Sequence, residues 1–145
     1  VSRTCSKVHG MAGLRVGFAV GRPETLARMS GWRLGNGLNI VGIHAAAAAL
    51  GDRDHIARAR AANRDARAFA RKLFADLGYR VLDSHTNFVL IDIRRDAADF
   101  AKACRAAGVL VGRPFPPLTT WSRVSLGTME EMERAGTVFR KILRG

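Results

Sequence analysis

Near the start of this sequence, side chains with hydroxyl, amine and guanidinium groups lie close together along the chain. The segment from 1 to 21, VSRTCSKVHGMAGLRVGFAVG, contains the hydroxyls of Thr4 and Ser6, the amine of Lys7 and the guanidinium of Arg15. Its glycines leave room for the backbone to turn sharply or to approach a ligand. Hydroxyls and guanidinium groups donate hydrogen bonds to anions, and an amine can attack an aldehyde. These residues could therefore hold a phosphate and bind an aldehyde covalently.

This order of residues resembles the cofactor-lysine segment of the class I and II pyridoxal-phosphate aminotransferases. The resemblance is carried by the pattern S-K-x-x-G-x-A-G-L-R-x-G at 6–17, and it is most similar to the histidinol-phosphate aminotransferases. In that family the lysine binds the cofactor covalently, whereas the following arginine and the preceding hydroxyls hold the cofactor phosphate. The resemblance therefore implies that Lys7 carries pyridoxal 5'-phosphate and that Thr4, Ser6 and Arg15 bind its phosphate.

The second half of the chain also resembles this family. Arg123 lies in WSRVSLGT at 121–128, where the family has an arginine that binds the substrate α-carboxylate. A guanidinium can donate two parallel hydrogen bonds to a carboxylate, which an ammonium cannot match. Asn87, in TNF at 86–88, and Arg113, in VGRP at 111–114, resemble further substrate-side positions. The resemblance thus extends over essentially the whole chain and implies three substrate-binding residues.

The fold implied by the resemblance is α/β, the C-terminal part of a fold-type I pyridoxal-phosphate transferase. Residues 1–52 would be the end of the large cofactor domain, 53–77 a long connecting helix, and 78–145 a small α+β domain. Hydrophobic periodicity and turn residues agree with this division. They predict strands at 1–5, 14–20, 79–82, 87–93, 109–111 and 122–126, and helices at 22–30, 40–49, 54–77, 96–107 and 129–143.

Several of these elements carry more detailed expectations. The strand at 14–20 should be buried beside the lysine loop, because apolar and small residues alternate along it. Asn39 should cap the helix that follows, and either Asp96 or Asp99 should begin the helix near 100. Thr128 and Glu131 have the spacing of a capping box. A loop is expected at 32–39, where a single Gly-Asn-Gly is too weak a pattern to predict nucleotide binding.

The chain is strongly basic, with 24 Lys and Arg against 12 Asp and Glu and a formal net charge of +12. Such an excess is compatible with nucleic-acid binding. However, arginine alternates with alanine at 57–62, which is typical of a solvated helix face. No aromatic residues are interleaved with the basic ones to provide a stacking surface. We therefore predict that the protein does not bind nucleic acid.

Metal and membrane sites are also not expected. Cys5 and Cys104 are far apart and lack the spacing of a zinc site or a disulfide framework. The histidines share no ligand spacing and are interpreted as hydrogen-bonded structural residues; they are His9, His44, His55 and His85. The longest apolar stretch, at 38–50, is interrupted by polar residues and is too short to span a bilayer.

The activity implied by the resemblance is amino transfer between an amino acid or an amino-alcohol phosphate, such as histidinol phosphate, and a 2-oxo acid. It also implies a cytoplasmic homodimer that serves amino-acid biosynthesis. In this family the acidic partner of the pyridine nitrogen and the ring-stacking aromatic precede the lysine, but only six residues precede Lys7 here. The chain is therefore expected to be the C-terminal portion of a longer protein and to be inactive by itself.

Three alternatives remain open at this point. A pyridoxal-phosphate decarboxylase of a phosphorylated amino acid shares the lysine motif, and only its products distinguish it. A basic, non-catalytic binding domain of the same fold would lack an acidic residue on a strand before the lysine. An anion-binding module that uses Arg15 and Ser6 without covalent chemistry would show no visible absorbance with pyridoxal phosphate.

Overall fold

Both helices and strands occur along residues 1–32 and 37–144, which are the residues that this computed structural model describes. The elements are β1 (Ser2–Thr4), a short 3-10 helix (Ala12–Leu14), β2 (Gly17–Ala19), α1 (Pro23–Ser30), α2 (Ile40–Gly51), α3 (Arg53–Asp76), β3 (Arg80–Val81), β4 (Phe88–Asp92), α4 (Ala97–Ala106), β5 (Trp121–Ser125) and α5 (Met129–Arg144). Residues 33–36 of the predicted loop at 32–39, with most of its Gly-Asn-Gly, lie outside the described residues.

The chain divides into an N-terminal unit, Val1–Arg60, and a C-terminal unit, Ala61–Gly145. The boundary falls inside α3, whereas the sequence placed a long connecting helix at 53–77 between two domains. The helix itself is confirmed, since α3 runs from Arg53 to Asp76 and buries the face that carries Ala66, Ala70 and Leu73. The division into domains at 52 and 77 stays a prediction.

In the N-terminal unit, β1 and β2 form an antiparallel ribbon with Ser2 opposite Ala19 and Thr4 opposite Gly17. Beside it lies a small core of Cys5, Met11 and Ala46. The helix α2 approaches this core closely at Gly42, where an added Cβ would lie 2.5 Å from Cγ2 of Val16. A larger residue at this position would therefore push α2 away from the segment that precedes β2.

The predicted N-cap of α2 is confirmed. The side-chain oxygen of Asn39 accepts hydrogen bonds from the backbone N–H groups of Val41 and Gly42. The helix continues through Gly51, two residues beyond the predicted end at 49, and Asp52 takes the C-cap position. Such differences of one or two residues are common at helix ends.

The prediction of a buried strand at 14–20 is wrong in extent and in burial. Leu14 belongs to the 3-10 helix, and only Gly17–Ala19 form a strand. All three residues of β2 are exposed, because its described pairing is with β1 alone and a two-stranded ribbon has no layer to bury it. Phe18 and Val20 are 41% and 61% exposed. Phe18 borders an open, largely apolar cleft that α1 also lines.

The C-terminal unit is an antiparallel sheet with the strand order β3-β4-β5, covered by helices. Alternate residues of β4, Val89 and Ile91, are fully buried in its core. Phe74 of α3 and Phe100 of α4 flank Phe139 of α5, with ring centroids 5.4 and 5.9 Å from that of Phe139. Aromatic rings at such distances and tilts add to the stabilisation from burial. This unit is the predicted arrangement of helices packed on short strands.

Both predicted helix starts in this unit are confirmed. Asp96 is the N-cap of α4, because its side chain accepts from the backbone N–H groups of Ala98 and Asp99. Thr128 and Glu131 form the capping box of α5. The Thr128 N–H donates to the Glu131 carboxylate at 2.7 Å, and the Glu131 N–H donates to the Thr128 hydroxyl at 3.2 Å.

The predicted strand at 109–111 is wrong. This segment is irregular, and its described ladder contact with β5 is the bond from the Gly112 N–H to the Arg123 carbonyl, 2.8 Å long. Pro114, two residues later, has no N–H with which to continue the pairing. The segment therefore meets the edge of β5 at Arg123 without becoming a strand.

Candidate active site

Lys7 lies at the start of a tight turn directly after β1. The Gly10 N–H donates to the Lys7 carbonyl at 2.9 Å, and Gly10 has a φ of +65°, which glycine adopts without strain. The turn is anchored by Cys5, which is fully buried. Its N–H donates to the Val16 carbonyl, and its carbonyl accepts from the Met11 N–H. The exposed Lys7 side chain thus projects from a turn whose backbone is fixed on its N-terminal side.

The two predicted hydroxyl residues contact each other beside this turn. The Thr4 hydroxyl donates to Oγ of Ser6 at 2.9 Å, and the Ser6 N–H donates back to Oγ1 of Thr4 at 3.1 Å. Because the Ser6 oxygen accepts this bond, the proton of the Ser6 hydroxyl remains available to an external acceptor. The pair therefore presents a donor that could bind an anion.

Arg15 follows the 3-10 helix in the left-handed backbone conformation, with a φ of 53°. One terminal guanidinium nitrogen donates to the Ala12 carbonyl at 2.7 Å. The remaining N–H groups form no hydrogen bond or ion pair with any described residue. Since the Cys5–Val16 hydrogen bond joins the residues adjacent to Ser6 and to Arg15, the structure brings these two segments side by side.

The donor set of this loop fits a phosphate. Two hydroxyls, a guanidinium and an amine are gathered within one unit, and in the described part of the chain neither Lys7 nor Arg15 is paired with a carboxylate. Cations without a carboxylate partner are available to an anionic ligand, and arginine suits the oxygens of a phosphate particularly well.

The C-terminal unit carries the predicted Arg123 on β5. The guanidinium carbon lies 4.4 Å from the ring centroid of Phe88 on the neighbouring strand. Its Nε is buried and has no hydrogen-bond partner among residues 1–32 and 37–144, and no carboxylate pairs with it there. A partly buried guanidinium without a counter-charge is costly, and an anionic ligand would remove that cost.

The other two predicted substrate residues lie near Arg123 in this unit. The Asn87 carbonyl accepts from the Leu126 N–H at 2.9 Å, which places Asn87 beside the end of β5. Arg113 directly follows Gly112, which bonds to the Arg123 carbonyl, and its guanidinium carbon lies 4.6 Å from the centroid of Phe115. The side chains of Asn87 and Arg113 are exposed. Their roles in binding stay predictions, as does the role of Arg123.

One residue that contacts the lysine turn was not predicted. Nε2 of His55, in the first turn of α3, lies 2.8 Å from the carbonyl oxygen of Val8. The residues of this contact are 47 positions apart, and the sequence indicates only a structural, hydrogen-bonded role for His55. No local pattern in the sequence could have indicated the contact.

Ionisable groups elsewhere in residues 1–32 and 37–144 form no comparable constellation. Burial raises the pKa of Cys104 to about 11, so its thiol is protonated near neutral pH and a poor nucleophile. The Arg71 guanidinium, hydrogen-bonded to Asp83, holds the pKa of that carboxyl below its usual value. Both residues of this pair are substantially exposed, and such surface ion pairs contribute little to stability.

Two further observations concern the described residues only. They contain no group of three His, Cys, Asp or Glu side chains that could hold a metal ion. None of their helices combines the length and the apolar character that crossing a membrane requires.

The sequence model of the Aminotransferase class I and II family matches residues 1–139. The chain belongs to this family, and its mixed helix and sheet fold is that of the C-terminal part of fold-type I aminotransferases, as predicted. It is 40% identical over 136 residues to a histidinol-phosphate aminotransferase of Symbiobacterium thermophilum, an alignment that covers 92% of this chain and 37% of the relative.

Solved structures agree with this assignment. Histidinol-phosphate aminotransferase from Sinorhizobium meliloti, determined in complex with pyridoxal-5'-phosphate, is 30% identical and superimposes with a TM-score of 0.83 over 99% of this chain and 40% of that one. L-threonine-O-3-phosphate decarboxylase from Porphyromonas gingivalis superimposes with a TM-score of 0.81 over 99% of this chain and 46% of that one, but at 19% identity it shows the fold alone. The chain thus spans about two fifths of the length of the relatives it matches.

Proposed function

We propose that the complete protein is a pyridoxal-phosphate-dependent aminotransferase similar to the histidinol-phosphate aminotransferases. It transfers an amino group between an amino acid or an amino-alcohol phosphate and a 2-oxo acid. The observation that carries this proposal is the Lys7 turn, flanked by the Thr4–Ser6 hydroxyl pair and by Arg15 and without a carboxylate partner in the described chain. The family and the relatives reported above support the same reaction class.

The residues of the N-terminal unit would hold the cofactor. Ser6 and Arg15 donate hydrogen bonds to its phosphate, while Thr4 orients the Ser6 hydroxyl through the 2.9 Å bond between them. The Lys7 amine would hold the cofactor covalently through its aldehyde, with release of water. When bound, pyridoxal phosphate supplies an electron-withdrawing ring that stabilises negative charge at the substrate α-carbon.

Lys7 would also move a proton during the reaction. Its amine would be the base that takes the proton from the substrate α-carbon and the acid that returns it to the adjacent position. A long side chain projecting from a fixed turn suits this task, because the amine can move between two atoms while the backbone stays in place. The backbone of the turn is held by the Gly10–Lys7 hydrogen bond and by the hydrogen bonds of Cys5.

Arg123 would bind the carboxylate of the amino acid or of the 2-oxo acid. The face of Phe88 supports the guanidinium, and the absence of an ion pair in the described residues leaves its donors free. The two parallel bonds that a guanidinium forms with a carboxylate fix the orientation of the substrate as well as its position. Asn87 and Arg113 are secondary candidates on the substrate side.

Gly112 supports Arg123 through close backbone contact, which leads to a testable prediction. A Cβ at position 112 would lie 2.9 Å from the Arg123 carbonyl oxygen and 3.0 Å from its Cβ. The variant Gly112→Ala should therefore displace Arg123 and raise the KM of the 2-oxo acid by roughly tenfold in steady-state kinetics. Gly51→Ala is the matched control, since nothing lies within 4 Å of a Cβ there. An unchanged KM in Gly112→Ala would show that Arg123 does not need this support.

The proposed enzyme is a cytoplasmic homodimer that acts on small molecules and does not bind nucleic acid. The resemblance to biosynthetic aminotransferases supports the cytoplasmic homodimer and the small-molecule substrates. The absence of nucleic-acid binding is supported by two exposed arginines of α3, Arg64 and Arg71, which form ion pairs at the solvated surface.

Decarboxylation of a phosphorylated amino acid is a second candidate, because the lysine motif at 6–17 is compatible with either reaction. Products distinguish the two reactions. We expect the complete protein, incubated with pyridoxal phosphate, histidinol phosphate and 2-oxoglutarate, to form glutamate and to release no carbon dioxide. Release of carbon dioxide from phosphorylated amino acids without amino transfer would establish the decarboxylase instead. Neither product, from a panel of amino donors, would contradict both candidates.

A further inference from the structure

A hydrogen bond links the start of α3 to the turn that carries Lys7. Nε2 of His55 lies 2.8 Å from the carbonyl oxygen of Val8, and the contact is partly buried. Val8 is the residue after Lys7, inside the turn that the Gly10–Lys7 bond closes. The lysine turn is therefore held at two points: by Cys5, which precedes Lys7, and by His55, which contacts Val8 after Lys7.

The contact requires that Nε2 of the His55 imidazole carries a proton. A carbonyl oxygen only accepts hydrogen bonds, so Nε2 must carry the proton and act as the donor. The backbone of His55 is fixed as well, since its N–H donates to Oδ1 of Asp52 at 2.8 Å. His55 is thus held at its main chain by a helix cap and reaches with its ring to the turn.

No other histidine makes an equivalent contact in the described part of the chain. Nδ1 of His9, within the same turn, is buried and has no hydrogen-bond partner there. His85 lies in the C-terminal unit, where its Nε2 is 3.8 Å from a carboxylate oxygen of Asp83. Without His55 the Val8 carbonyl would lose its described side-chain donor, and the turn would keep its internal bond and its anchor at Cys5.

We propose that His55 is a positioning residue for Lys7. The bond from its Nε2–H to the Val8 carbonyl holds the turn from which the lysine side chain projects. The effect of His55 on cofactor binding rests on the proposed role of Lys7 as the cofactor lysine. Its effect on the backbone of the turn is independent of that role. His55 itself touches neither cofactor nor substrate in this proposal.

The restraint is tested by amide hydrogen exchange in the complete protein without cofactor. In His55→Ala, exchange of the Gly10 amide, which closes the turn, should be about tenfold faster than in the wild type. In His55→Gln, whose side-chain amide can donate from a similar position, exchange should stay within about threefold of the wild type. His85→Ala is the matched control and should change nothing, because that side chain is 90% exposed.

The same variants are then titrated with pyridoxal phosphate and reduced with borohydride to measure cofactor bound to Lys7. The apparent Kd should rise about tenfold in His55→Ala and recover in His55→Gln. Unchanged Gly10 exchange in His55→Ala, or equal effects of the alanine and glutamine variants, would overturn the proposal. So would an equal acceleration at the buried Ala66 and Ala70 of α3, because it would reveal general destabilisation. If the wild type binds no cofactor at Lys7, the proposed function fails while the exchange result still decides the restraint.

Discussion

Replacing Lys7 by alanine in the complete protein is expected to lower kcat for amino transfer by about three to four orders of magnitude. The variant would lose both the amine proposed to bind the cofactor covalently and the group proposed to move the proton at the substrate α-carbon. Lys7→Arg keeps the positive charge but cannot give up its proton, so it should be impaired nearly as strongly.

Steady-state kinetics and the visible absorbance of the bound cofactor measure this effect. The matched control is Lys102→Ala, because Lys102 is an exposed lysine on α4 in the C-terminal unit. It should retain wild-type turnover and absorbance. A Lys7→Ala variant that turns over at close to the wild-type rate would show that Lys7 is neither the cofactor attachment site nor the base.

Arg123→Ala should lower kcat/KM for carboxylate substrates by roughly two orders of magnitude, since it would remove the proposed charge-assisted bidentate contact. Arg123→Lys should recover only part of this loss, because an ammonium cannot form the two parallel bonds or stack equally well on Phe88. The guanidinium lies 4.4 Å from that ring.

Both Arg123 variants should keep the absorbance of bound cofactor, which separates substrate binding from cofactor binding. Arg64→Ala is a suitable control, since Arg64 is exposed and its described ion pair is with the adjacent Asp65. Normal kcat/KM for the 2-oxo acid in Arg123→Ala, with the cofactor in place, would contradict the carboxylate role.

Elements with strong local patterns were predictable from the sequence. The helix α3 was recognised because its apolar residues repeat along one face over many turns. The caps at Asn39, Asp96 and Thr128 followed from residue type and spacing at helix starts. In these cases the interactions join residues only a few positions apart, so the sequence contains them directly.

Strands were predicted less well, because pairing and burial depend on distant segments. The stretch 14–20 has an alternating pattern, but β2 covers only Gly17–Ala19 and is exposed in the described structure. The stretch 109–111 has the composition of a strand, yet the described hydrogen bond to β5 in this region comes from the next residue, Gly112. Whether such a segment becomes a strand is decided by the partner it meets, which its own residues do not specify.

In the candidate site, too, local features were predictable from the sequence and contacts between distant residues were not. Thr4, Ser6, Lys7 and Arg15 share one short segment, so their proximity and chemistry were visible in the sequence. The stacking of Arg123 on Phe88 follows from the register of β4 and β5, which no local pattern specifies. The contact between His55 and Val8 spans 47 positions and required the structure.

The covalent attachment of the cofactor to Lys7 is the central claim, and peptide mapping after borohydride reduction tests it most directly. The complete protein is incubated with pyridoxal phosphate, reduced and digested, and the labelled peptide is identified by mass spectrometry. We predict a single stoichiometric label on Lys7, in the peptide that contains Thr4, Cys5 and Ser6. A label on Lys72, Lys102 or Lys141 instead, or no label on any lysine of this chain, would contradict the assignment.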